Sequence, residues 1–102
     1  MNAREELLEL LEKKLTLVAG NVRYEDNFGS LKINLSLKKG HSSEDLEKFF
    51  ELLNFEYDDG FNSQKLFGTL WFQDGSWAIR GEYDGSEWWE RRSVPEIPES
   101  LL

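Results

Sequence analysis

Glu82, Glu87 and Glu90 lie close together in the chain, around the adjacent Trp88 and Trp89. Two carboxylates beside aromatic platforms are the equipment of glycoside hydrolysis, where one protonates the leaving oxygen and the other attacks or activates water. Two strands and a tight turn offer no cleft for a sugar, so this reading is set aside. His41 is the sole histidine and cysteine is absent, so a nucleophile pair has a single possible base and a Cys-His pair has no thiol for it to activate. His41 stands in a polar loop ahead of a helix cap and reads as an exposed loop residue. Zinc would have to take carboxylates for all its other ligands, which does not suit it. Asp58-Asp59-Gly60 with Asn62 has the composition of a calcium loop but lacks the alternating ligands and closing Glu of an EF-hand. There is no Gly-rich phosphate loop. The expectation is a non-enzymatic chain with no catalytic residue, no metal and no cofactor.

Charge carries more information. The 102 residues sum to a formal charge of -8, and the acids are concentrated. Between His41 and Gln64 stand Glu44, Asp45, Glu47, Glu51, Glu56, Asp58 and Asp59 against Lys48 alone. Between Glu82 and Glu90 stand Glu82, Asp84, Glu87 and Glu90 with no base. Such a field repels nucleic acid and anionic membrane and steers toward basic partners, while also serving solubility. The N-terminal stretch carries Glu5, Glu6 and Glu9 and lacks the uncharged run of a signal peptide. No segment approaches the roughly 18 apolar residues of a membrane span. The chain is expected to be soluble and cytoplasmic.

The elements that must position these residues follow from periodicity. Leu7, Leu8, Leu11 and Leu15 mark one stripe of a helix over 2–15, with Leu10 off the stripe. Val18 to Glu25 alternates weakly, with Val22 and Tyr24 against Asn21, Arg23 and Glu25. Asp26-Asn27-Phe28-Gly29 is a turn. Leu31, Ile33, Leu35 and Leu37 then alternate without a break against polar neighbours, the pattern of a half-buried strand. Ser42 or Ser43 caps a second helix with Glu44 and Asp45 in its first turn, where carboxylates favour the dipole. Leu46, Phe49, Phe50 and Leu53 form its core stripe. The fold class is α+β: helix, two strands, helix, three strands, an antiparallel sheet packed on one side by helices. Length allows one domain, with 1–92 globular and 93–102 an extended strap. Pro95 and Pro98 bar the strap from the sheet, and Val94, Ile97 and Leu101 or Leu102 are expected to dock on aromatic surface.

Two Asp-Gly-Ser turns, at 74–76 and 84–86, punctuate the last three strands. Asp-Gly between β-branched and aromatic residues is the strongest short-range hairpin signal. With Asp74-Gly75 as a two-residue loop, Phe72 falls opposite Trp77, Leu70 opposite Ile79, Gly68 opposite Gly81 and Leu66 opposite Tyr83, all on one apolar face. A three-residue loop sets Ala78 and Arg80 there instead, which is less apolar, so the two-residue loop is preferred. Gly68 and Gly81 then let a helix approach the sheet. The second face carries Phe67, Thr69, Trp71, Ala78, Arg80 and Glu82. One of the adjacent Trp88 and Trp89 joins it, with that hairpin's register open. The strip is either covered by the tail or the first helix, or free to dock a protein, since Trp and Arg are the residues most enriched at binding hot spots. Base stacking on a single strand would need a basic groove, which the acids of this region deny.

The run Gly68-Thr69-Leu70-Trp71, Asp74-Gly75-Ser76-Trp77, Arg80-Gly81-Glu82-Tyr83-Asp84-Gly85-Ser86-Glu87-Trp88-Trp89-Glu90, then Pro95-Glu96-Ile97-Pro98, resembles a signature of small proteins of bacteriophages and mobile elements. It covers about the last third of the chain. Some small acidic phage proteins of this kind look like anti-CRISPR inhibitors, so the resemblance implies a phage context and a partner-binding role in the host bacterial cytoplasm. The expected partner is a host protein with a basic nucleic-acid-binding surface, a CRISPR effector. Glu44, Asp45, Glu47, Glu51, Asp58 and Asp59 form the expected phosphate-mimicking set, and Glu82, Asp84, Glu87 and Glu90 a second patch. Trp71 and Trp89 are the aromatic anchors. The alternative is a module that binds a peptide or its own copy through the aromatic strip, with acidity serving solubility.

Overall fold

In the computed structural model, which describes residues 1–58 and 63–102, helix α1 (Ala3–Leu11) leads into strands β1 (Leu17–Glu25) and β2 (Leu31–Leu37). Helix α2 (Ser43–Leu52) follows, then strands β3 (Leu66–Phe72), β4 (Trp77–Tyr83) and β5 (Ser86–Arg92). The five strands form one antiparallel sheet in the order β2-β1-β3-β4-β5. The fold is therefore α+β in the expected element order. One sheet face supplies Leu17, Val22, Leu37, Leu66, Leu70, Phe72 and Ala78 to a core closed by Ala3, Leu7 and Leu10 of α1 and by Phe49 and Leu53. Among the described residues the opposite face carries no helix.

Helix α2 forms as its sequence dictates. Ser42 is the N-cap, its hydroxyl accepting from the Asp45 N–H while the Asp45 carboxylate accepts from the Ser42 N–H. Helix α1 departs from expectation. It stops at Leu11, Lys14 turns the chain at φ 62°, and the buried stripe is Ala3, Leu7 and Leu10, with Leu8 facing outward. Leu15 reaches the core from the turn after the helix, so counting it as helical rotates the inferred stripe.

The register of the β3–β4 hairpin also differs. Leu70 pairs with Ala78 and Trp71 with Trp77, and the Phe72 N–H donates to the Ser76 carbonyl at 2.9 Å. The loop is Gln73-Asp74-Gly75, three residues with Gly75 at φ 88°. Asp74 holds this turn by accepting from the Ser76 N–H at 2.9 Å and from the Ser76 hydroxyl. The second Asp-Gly-Ser makes a different turn. Tyr83 pairs with Ser86, so Asp84-Gly85 is a two-residue loop with φ 51° and 87°, the I′ type. One tripeptide thus closes two hairpins in two geometries. The first register buries Arg80, an arrangement the apolar pattern penalised, because ionic partners for it come from elsewhere in the chain.

The tail does not strap the sheet. Val94, Ile97, Leu101 and Leu102 are all exposed, and Glu99–Leu101 forms a 3₁₀ turn in solvent. Among the described residues the nearest neighbours of Gly68 and Gly81 belong to strands, not to a helix. Gly68, at φ 150°, is met by the Asn21 carbonyl of β1, and the Trp88 indole lies over Gly81.

Candidate interaction surfaces

On the face away from the helices, the shifted register assembles Phe67 and Trp71 of β3, Trp77, Ile79 and Tyr83 of β4, and Trp88 of β5. Trp71 stands directly across from Trp77, and Trp88 across from Gly81. The missing side chain at Gly81 is what lets the Trp88 ring lie flat: a Cβ there would sit 2.5 Å from the indole nitrogen. Trp71 is 48 % exposed, Trp88 41 % and Tyr83 77 %. Arg23 of β1 lies over the Phe67 ring at 5.8 Å, and Arg92 is the cross-strand partner of Trp77. The open face is thus an aromatic platform with a guanidinium at either side. Glu90, paired with Ile79 and 3.4 Å from Arg92, is the acid of the second window that faces this way.

The helix side holds a buried ionic cluster. Arg80 reaches Glu6 of α1 at 3.0 Å and Glu87 of β5 at 2.9 Å, and it donates to the Tyr57 hydroxyl at 3.0 Å. Tyr57 donates to Glu6 at 2.6 Å. Glu87 also accepts the backbone N–H groups of Lys65 and Leu66, at 2.7 and 2.9 Å. Trp89 lies 4.9 Å from the guanidinium and covers it. Burial raises the Glu6 carboxyl above its ordinary value, opposed by the Tyr57 hydroxyl and Arg80. Burial, and then donation to Glu6, raise the Tyr57 phenol. With its oxygens occupied by Arg80 and two backbone amides, Glu87 is a structural anion and not available to a partner. Trp89, expected as an aromatic anchor, points to this side and is engaged with Arg80; the anchor beside Trp71 on the open face is Trp88.

The remaining acids separate by location. Glu44, Glu47 and Glu51 are exposed on α2, on the helix side of the sheet. Asp45 is exposed but engaged in the capping box. Asp58 is exposed, whereas Asp59 and the rest of the calcium-like loop through Asn62 lie outside the described residues. Asp84 occupies the β4–β5 turn, and Glu82 accepts the Gly85 N–H at 2.8 Å. The second acidic patch is therefore dispersed over a turn, a buried cluster and two sheet faces, and its carboxylates do not converge on a cleft. His41 Nδ1 lies 2.9 Å from the Lys38 carbonyl and closes that loop. Among the described residues no three potential metal ligands come together, and no helix is long and apolar enough to cross a membrane.

The acidic helix surface and the aromatic platform stand on opposite sides of one sheet. A single flat partner cannot touch both. Sequence patterning missed the Arg80 cluster because Glu6 sits at the far end of the chain; the detectable signal was a charged residue recurring on an apolar pleat with an acid available on the next strand. The chain matches no family model, no curated protein and no solved structure.

Proposed function

We propose that this chain is a non-enzymatic protein-binding module whose open sheet face, centred on Trp71, Trp77 and Trp88, docks a partner protein. The observation that carries this reading is the uncovered aromatic platform. Large apolar side chains grouped on a face with no layer over them among the described residues, flanked by Arg23 and Arg92, have the composition of an interface core with a polar rim. Trp and Arg anchors carry most of the energy of such interfaces.

A second reading is favoured by the exposed Glu44, Glu47 and Glu51. In it, the helix surface imitates phosphates and blocks a nucleic-acid-binding site on a host defence protein, as an anti-CRISPR inhibitor in the bacterial cytoplasm does. The phage-like resemblance of residues 68–98 supports that setting.

Affinity capture from nuclease-treated bacterial lysate separates the two. Platform docking predicts a partner retained at high salt, lost with W71A/W88A and kept with E44K/E47K/E51K. Phosphate mimicry predicts the reverse on all three counts, because exposed charge pairs are screened beyond about 10 Å at 0.1 M salt.

A further inference from the structure

The sheet ends at β2, whose outer backbone edge pairs with no strand among the described residues. Natural edges are blunted by proline, bulges, charged side chains (lysine above all) or a covering element, and Ile33 to Leu37 carries no charged side chain. From Ile33 to Leu37, β2 has no proline, no glycine and no break in register, so its outward N–H and C=O groups form an open template. Helix α2 runs above this edge, and between them lies a groove of about 320 Å³. Its apolar wall is Leu35, Phe49 and Leu52, and Leu52 is 49 % exposed. Lys38, His41, Asp45 and Lys48 form the polar part of the lining. On α2, Asp45, Lys48, Phe49 and Leu52 follow helical spacing, so one stripe of the helix overhangs the groove.

The β2 wall of the groove is basic, whereas α2 beside it carries Glu44, Asp45, Glu47 and Glu51. Lys32, Lys38 and Lys39 occur between Leu31 and His41 with no carboxylate, in a chain of net charge -8. Asp45 is committed to the Ser42 cap, and neither Lys38 nor Lys48 joins an ion pair among the described residues. A second copy paired edge to edge would bring the same lysines together and be repelled. The chain's own tail, with Pro95 and Pro98, lacks the donors a strand needs.

We infer that the β2 edge and the β2–α2 groove form a strand-addition site for an extended acidic segment of another protein. The segment adds a sixth strand through backbone hydrogen bonds and lays alternate apolar side chains against Leu35, Phe49 and Leu52. Its carboxylate sits at Lys38 and Lys48. This site is separate from the aromatic platform and independent of it.

The test is a ¹⁵N NMR titration with an acetylated, amidated peptide of about eight residues alternating Val and Glu. A Val-Lys counterpart is the control, and a free-acid form distinguishes a side-chain carboxylate from a terminal one. The expected result is shifts confined to Leu31–Leu37 and the Lys48–Leu52 stripe, with new exchange protection of the outward β2 amides. K38E/K48E, checked for retained fold by circular dichroism, weakens binding by roughly tenfold or more, and W71A/W88A leaves it unchanged. Four results would each overturn the inference: no shifts at millimolar peptide, equal binding of the Val-Lys peptide, shifts on the aromatic face, or a dimer closed through β2 in sedimentation.

Discussion

The guanidinium of Arg80 ties the first helix to the last strand, because Glu6 and Glu87 approach it from those two elements. Its side chain is 2 % exposed, so truncation leaves two carboxylates in a dry interior without their counter-charge. R80A is expected to cost about 3–5 kcal/mol in urea unfolding, the usual result of breaking a buried pair from one side. W71A, on the open face, is expected to cost under about 1 kcal/mol, as for substitutions away from buried features. Glu6 sets a pH dependence. Its folded pKa is raised by burial above the ordinary 4.5, so its contribution is complete below that value and is lost as pH rises through the folded one. Asp26 and Asp74 act oppositely. The Ser30 backbone N–H and the Ser76 hydroxyl hold them below the ordinary 3.8, so their contributions are complete above that value and lost as pH falls. The expected outcome for E6Q is a urea midpoint that gains on the wild type as pH rises from about 4.5 toward neutral. Midpoints measured for both proteins across that range check it. Arg80 itself was legible as a charged residue on a pleat. That the pleat faces inward was not, because its compensation depends on a residue brought in by tertiary folding.

At the scale of elements, the strands owe their faces to two glycines and two turns. Gly68 holds φ 150° with the Asn21 carbonyl where a Cβ would stand, 2.0 Å away. The neighbour is backbone and cannot rotate aside, so G68A is expected to cost about 2–4 kcal/mol by strain and displacement of β1. The nearest atoms a Cβ at position 81 meets belong to the movable Trp88 ring. G81A is expected to lift the indole, red-shifting tryptophan fluorescence with a smaller loss of stability. For α2, S42A removes the capping box and should cost about 1 kcal/mol. This helix and the alternation of β2 were readable from sequence because each stripe is continuous within its own element. The β3–β4 register was not, because both candidate loops obey turn chemistry and the choice rests on what lies under Arg80. The end of α1 was hidden similarly, since Leu15 is buried from a turn and imitates a helical position.

Across the whole molecule the sheet is a partition. Exposed carboxylates Glu44, Glu47 and Glu51 lie on the helix side, and Trp71, Trp77 and Trp88 on the bare side, so charge and aromatic surface face in different directions. The element order and the existence of an aromatic second face were legible in the sequence. The membership of that face was not, because a one-residue slip exchanges Arg80 for Ile79 and Ala78 for Trp77. The most direct measurement is the solvent exposure of the four indole N–H groups, assigned by single Trp→Phe variants and read by NMR with a soluble paramagnetic cosolute. A bare platform formed by the three-residue turn predicts strong broadening for Trp71 and Trp88 and a protected Trp89, whose indole nitrogen is buried. Broadening of Trp89 with protection of Trp71 and Trp88 would contradict it.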